Sequence, residues 1–234
     1  MSGNKKTTCL QSLRTQILSL AIAPGSDLDE ARLCAEFNLS RTPLREVFQR
    51  LNGEGYIEIA QNKGAKVSSM DLPQMRNFFQ TAPLIYATVA RLAAENRTPR
   101  QLAELTEIQT QFQAATKAAD PLQSALMNHR FHHLIGEMAH NPYLTPSLNR
   151  MLIDHTRLSQ TFYRPQSRAE AKLVATASDQ HEQMIEAIAA HAAATAVDLT
   201  LKHWDLSRDR LERFVRPDPL PLNIQDTKDQ AHAV

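Results

Sequence analysis

The sequence predicts a mainly α-helical protein, with one short β-hairpin near the N-terminal end and an antiparallel all-α helical bundle behind it. Apolar residues recur at helical spacing along most of the 234 residues. Glycine is scarce, 6 in the whole chain, which suits helices better than sheet. Apolar/polar alternation is confined to two short stretches between residues 56 and 68, separated by a turn signal.

The first helix covers residues 8–21, with Leu10, Leu13, Ile17 and Leu20 on one face, and Pro24-Gly25 ends it. A short amphipathic helix follows, with Leu28, Leu33 and Phe37 as its apolar positions. Asn38-Leu39-Ser40 is too tight a connection to hold a strand. The third helix carries its own start signal. Ser40 is a good N-cap residue, and Pro43 falls in the first turn, where a missing N–H is harmless. Leu44, Val47, Phe48 and Leu51 give it one apolar face, and Arg41 and Arg45 lie on the other side near its start. Tyr56-Ile57-Glu58-Ile59-Ala60 and Ala65-Lys66-Val67-Ser68 then alternate about the turn Gln61-Asn62-Lys63-Gly64. Two tightly joined helices with a small β-hairpin wing behind them make a winged helix-turn-helix.

Residues 68–73 form the junction, after which the chain turns rich in alanine and leucine and loses all strand pattern. Helices are expected at roughly 72–95, 99–117, 121–139, 142–162, 167–191 and 193–214, with Thr98-Pro99, Asn141-Pro142 and Ser167 among the stops and starts. Pro217, Pro219 and Pro221 and a polar end predict a loose tail. The expected division is 8–70 for the winged helix-turn-helix, 74–215 for the bundle and 216–234 for a flexible tail.

Bulk properties narrow the function. A net charge of +1 excludes a protein that coats nucleic acid along its whole surface, so any DNA contact must come from a local patch. Cys9 and Cys34 are too few for a disulfide framework and lack a metal spacing. No 18-residue apolar run occurs, and residues 1–8 are polar and lysine-bearing rather than a signal peptide, so a cytoplasmic protein without a membrane partner is expected. The N-terminal end of a recognition helix is the part that enters the major groove, which places Arg41 and Arg45 for phosphate or guanine contacts. Lys63, Gly64 and Lys66 on the wing can approach a phosphate or the minor groove. The bland alternative is a three-helix unit with solvated arginines, but helix, turn and wing agree with one another.

The chain carries 9 histidines. Asn128 and His132 are four apart on one helix face, His181 lies in a separate helix with Met184, Ile185 and Ile188, and His203 lies in the next. Imidazoles from three helices can converge inside a bundle, and three neutral nitrogens with one oxygen suit a divalent ion such as Zn²⁺ or Ni²⁺. Spacing alone equally allows ordinary part-buried histidines, and His129, His133, His140, His155, His191 and His232 are read in that way.

Residues 28–67 closely resemble the winged helix-turn-helix of the GntR family of bacterial transcription regulators. The matching pieces are Leu28, Glu30 and Leu33, then Ser40-Arg41-Thr42-Pro43-Leu44-Arg45-Glu46, Arg50-Leu51, Glu54-Gly55, Gly64-Ala65 and Val67. Residues 72 to about 215 look like the FCD ligand-binding domain of the FadR subfamily. That likeness rests on Asn128 with Phe131-His132, on Asn141 with Leu144, on His181-Glu182 with Ile185 and Ala187, and on His203. The length of this part favours six bundle helices, as in the VanR-like group.

The resemblance implies a ligand-responsive, DNA-binding regulator, most readily a repressor, acting as a homodimer on double-stranded operator DNA in a bacterial cytoplasm. Arg41 and Arg45 would carry most recognition, with Ser40 and Thr42 of the same motif, Arg32 at a further contact, and the wing assisting. It also implies a divalent metal held by Asn128, His132, His181 and His203, and a small-molecule effector nearby, in the family an organic acid. Two positions depart from the family pattern. Asn128 stands where aspartate is usual, and Ala82 and Tyr86 stand where an arginine and a glutamate are usual. Without that arginine, Tyr86, Arg157 and Tyr163 become the candidate effector contacts, with Arg164 a further option. A metal-free bundle used mainly for dimerisation is the alternative. A hydrolytic metalloenzyme is disfavoured because His-Glu-x-x-His and an assignable general base are both missing.

Overall fold

The computed structural model describes residues 2–60 and 64–213. Lys63 and the expected tail at 216–234 lie outside the described residues. The N-terminal part runs α1 (Ser2–Leu18), β1 (Asp27–Leu28), α2 (Glu30–Phe37), α3 (Arg41–Glu54), β2 (Ile57–Ala60) and β3 (Gly64–Val67). Two features differ from the sequence reading. The first helix begins at Ser2 rather than residue 8, because Lys6 pairs with Glu46 of α3 at 2.6 Å and gives its polar start a tertiary partner. The wing is part of a three-stranded antiparallel sheet rather than a lone hairpin. β1 supplies only two residues, Asp27 opposite Lys66 and Leu28 opposite Ala65, too short a run to show alternation in sequence. β2 and β3 pair as expected, Ile57 opposite Val67 through Ala60 opposite Gly64.

The second part is a bundle of α4 (Leu72–Asn96), α5 (Pro99–Lys117), α6 (Pro121–Met138), α7 (Leu144–Phe162), α8 (Arg168–Ala189) and α9 (Ala193–Arg213). Local chemistry sets most of the starts. Asp71, Thr98, Asp120 and Ser167 each accept a hydrogen bond from a first-turn backbone N–H, and Thr98 with Gln101 forms a reciprocal capping box. Short connections make successive helices antiparallel. α4 packs along α9, α5 against α6 and α8, and α6 against α7. Among the described residues, no helix is long and apolar enough to cross a membrane.

α7 joins the two parts. Residues 152–160 are buried without a break, polar ones included. Ile153 leaves the bundle and inserts into the N-terminal core beside Leu13, Ile17 and Leu51. Arg157 Nη1 donates to the Ser68 carbonyl at 3.0 Å, and Gln160 Nε2 donates to the Leu18 carbonyl at 3.3 Å. Arg150 crosses over Gly55, the left-handed residue (φ +86°) that ends α3, occupying the space a β-carbon would need. One helix therefore lines both the bundle interior and the DNA-binding part.

Candidate functional site

The candidate DNA-reading face is built on α2 and α3. Asp29 caps α2, its Oδ1 accepting from the N–H groups of Ala31 and Arg32, and Asn38 in the left-handed region (φ 48°) makes the turn. Because α3 buries Leu44, Val47, Phe48 and Leu51, its opposite side leaves Ser40, Arg41, Thr42 and Arg45 exposed together. Ser40 holds the N-cap position but its hydroxyl makes no capping hydrogen bond, so that group points to solvent or to a partner. Arg32 is exposed on α2. Arg45 lies 3.6 Å from Glu30 and Lys66 lies 3.5 Å from Asp27, both exposed pairs worth ~0–1 kcal/mol, so each cation can exchange to a phosphate. Gly64 (φ +77°) closes the described part of the wing with open space around it.

Inside the bundle, His132 of α6, His181 of α8 and His203 of α9 converge. Their nearest ring nitrogens all lie within 4.8 Å of one another, and all three residues are buried. Phe131 stacks on His181 with ring centroids 4.0 Å apart and fixes that ring. Asn128 lies one turn before His132 on the same buried face. The Oδ1 of Asn128, Nε2 of His132 and Nε2 of His181 are buried without a hydrogen-bond partner. Such orphaned acceptors are costly in an apolar interior and are what a cation would satisfy.

Tautomers follow from the neighbours. Gln109 donates its Nε2 to the Ser178 carbonyl at 3.0 Å, so its Oε1, 3.1 Å from His181 Nδ1, must accept from Nδ1–H. That leaves the lone pair on Nε2. Gln180 Oε1 holds His203 Nδ1 at 3.1 Å in the same sense. These amides orient the rings as outer partners of metal-binding histidines do. Burial, reinforced by the neighbouring imidazoles, pushes the His132 and His181 pKa well below the usual histidine value, and burial lowers His203 to about 4. All three are neutral near pH 7, the form that binds a metal. The residues present therefore fit a divalent ion.

Sequence reasoning missed one neighbour. His155 of α7 sits beside His132, ring centroids 5.7 Å apart, is lowered to about 3 by burial and then by His203, and bonds Tyr86 Oη through Nδ1 at 2.8 Å. Only the fold brings α7 here; no spacing in the sequence signals it. Tyr86 packs edge-on against His132 at 5.4 Å. Tyr163 lines a cavity of about 10 Å³ with His155, Ser159 and His203. The structure does not bring Arg157 to this pocket. Its guanidinium is buried at the junction, where Nη1 donates to the Ser68 carbonyl and to Asp154 and Nη2 reaches the Ser68 hydroxyl. Arg164 is exposed, and Ala82 is fully buried in the apolar core.

Residues 6–67 match the bacterial regulatory proteins of the gntR family, and residues 79–206 match the FCD domain. The chain belongs to the GntR family, in its FCD-bearing branch. Among curated relatives, the HTH-type transcriptional repressor RspR of Escherichia coli K12 is 32% identical over 127 residues, covering 54% of this chain and 56% of that protein. The match thus spans little more than half of RspR. The galactonate operon transcriptional repressor of the same organism is 28% identical over 198 residues, covering 74% and 86%. The solved structure of E. coli McbR/YncC superposes with a TM-score of 0.75 at 20% identity, covering 91% of this chain and 99% of that one, which shows a shared fold.

Proposed function

We propose that this protein is a metal-containing, effector-responsive transcription repressor that binds a palindromic operator as a homodimer in the bacterial cytoplasm. The observation that carries the reading is the joint presence of an exposed arginine-bearing α3 start and a buried, neutral three-histidine pocket, joined by α7. Arg41 and Arg45 read bases and phosphates, Ser40, Thr42 and Arg32 position the helix, and Lys63, Gly64 and Lys66 meet the flanking backbone. Asn128, His132, His181 and His203 hold a Zn²⁺ or Ni²⁺ ion. When bound, that ion supplies a Lewis-acidic contact for an oxygen of the effector, consistent with a small organic acid. Tyr86, packed against His132, and Tyr163, at the small cavity beside His203, are the effector contacts of this reading. Arg157 serves the junction instead. Six bundle helices among the described residues support placement in the VanR-like group, and two relatives that are named repressors support repression.

The test is selection of bound sequences from random duplex DNA with the purified protein, followed by titration of the recovered site. A palindrome with half-sites about 34 Å apart is expected, with binding abolished by Arg41→Ala/Arg45→Ala. Unchanged affinity in that double variant would overturn the assignment. The small cavity and the amide at Asn128 favour one second reading, a metal-free bundle that serves dimerisation.

A further inference from the structure

A cleft of about 960 Å³ lies between the two parts of the molecule, the size of a small-molecule site. Its walls come from α1, the end of α3, α6 and the first half of α7. Arg14, Arg50 and Arg150 bring guanidiniums to it, and Glu54 is the one carboxylate among its described lining residues. Glu54 is already shared: Arg14 Nε donates to it at 2.9 Å and Arg50 Nε at 3.1 Å. Beneath the wall, Arg150 and Arg157 share Asp154 at 3.1 and 3.3 Å. Three guanidiniums thus line the cleft against one carboxylate among its described lining residues, an excess of positive charge. Each guanidinium has five N–H donors, more than these bonds use.

A neutral acceptor from α6 faces the same space. Thr156 Oγ1 donates to the Leu152 carbonyl at 2.6 Å, so the His129 Nδ1 that lies 2.8 Å from it is the donor to that hydroxyl. His129 Nε2 is then left as a hydrogen-bond acceptor at the cleft wall, with His133 beside it. Forked cationic donors with a neutral imidazole acceptor recognise an oxyanion that also carries a hydroxyl.

We propose that this cleft is a binding site for a small hydroxylated anion, a carboxylate or phosphate ester, separate from the three-histidine pocket. Its walls belong to both parts, and Arg150 of the bundle lies directly over Gly55 at the end of the recognition helix. Occupancy favours whichever arrangement of the two parts keeps Arg14, Arg50 and Arg150 around one anion. α6 separates the two sites, with Asn128 and His132 on its inner face and His129 and His133 on the cleft.

The test is calorimetric titration of the full-length protein with inorganic phosphate and with gluconate. Ionic strength is held constant with chloride, and glucose is the uncharged control. Saturable binding of at least one anion is expected, weakened about tenfold or more by Arg150→Gln, partly restored by Arg150→Lys, and retained in His181→Ala. Arg50→Gln, whose side chain is largely exposed, carries the same expectation should Arg150→Gln lower the melting temperature. Phosphate binding alone points to a phosphate ester, and gluconate binding alone to a hydroxy acid. No saturable binding of either below about 10 mM would overturn the proposal. So would equal binding of glucose, or loss in His181→Ala with retention in both arginine variants, which would return the anion to the histidine pocket.

Discussion

His181 shows how a buried imidazole is prepared as a ligand. Gln109 Oε1 accepts a hydrogen bond from Nδ1–H, Phe131 stacks on the ring, and burial keeps it neutral, leaving one lone pair aimed among two other imidazoles. The same burial predicts an acid dependence. His129 and His203 are held at about 4 and His155 at about 3, against an ordinary value of 6.5. Their folded values are depressed, so the unfolded chain binds more protons between those limits, and stability falls as pH drops from 6.5 toward 4. Urea unfolding of chelator-treated protein should show that loss, and a flat profile across the window would contradict it. On the DNA side, Arg45→Ala should cost ~1–3 kcal/mol of operator affinity and relax specificity at one base, measured by titrating single-base operator variants. The recognition motif was legible in its own residues, whereas the three histidines, weak by spacing alone, stood out only through the resemblance to the FCD pattern. His155, Gln109 and Gln180 were not, since a histidine on a polar stretch of α7 and two glutamines gain meaning only once helices are packed.

α7 is the element on which the molecule turns. Its buried stretch mixes Asp154, His155, Thr156, Arg157, Ser159 and Gln160 with Leu152, Ile153 and Leu158, so burial runs all round the helix rather than along one apolar face. Three of these polar groups find a partner in another element: His155 in Tyr86, Arg157 in Ser68, Gln160 in the end of α1. Ile153→Ala should remove the fully buried bundle side chain that, with Leu126 of α6 packed alongside, enters the N-terminal core, and cost ~2–4 kcal/mol by cavity formation, measurable in thermal unfolding. Gly55→Ala meets both a left-handed φ and the Arg150 side chain, and should destabilise by ~1 kcal/mol or more. Helices of the bundle were legible because caps and prolines punctuate them. β1 was not, because two residues paired to a wing carry no period.

At the scale of the molecule, the winged helix-turn-helix and the bundle have separate cores joined chiefly through α7, with the cleft beside it. A homodimer would present two α3 starts to successive major grooves, and an effector alters that presentation only by binding one arrangement better than another. The order of the parts and a helical bundle were visible in sequence, with the length favouring six helices. The contacts across the junction were not, because residues far apart in the chain meet there, as Leu18 and Gln160 do. The central claim, that the bundle of this regulator holds a metal, is tested most directly by elemental analysis of the purified full-length protein beside His132→Ala/His181→Ala. About one divalent ion per chain, absent from the double variant, is the predicted result. Metal-free protein even after Zn²⁺ and Ni²⁺ are supplied, or equal metal content in the variant, would contradict it.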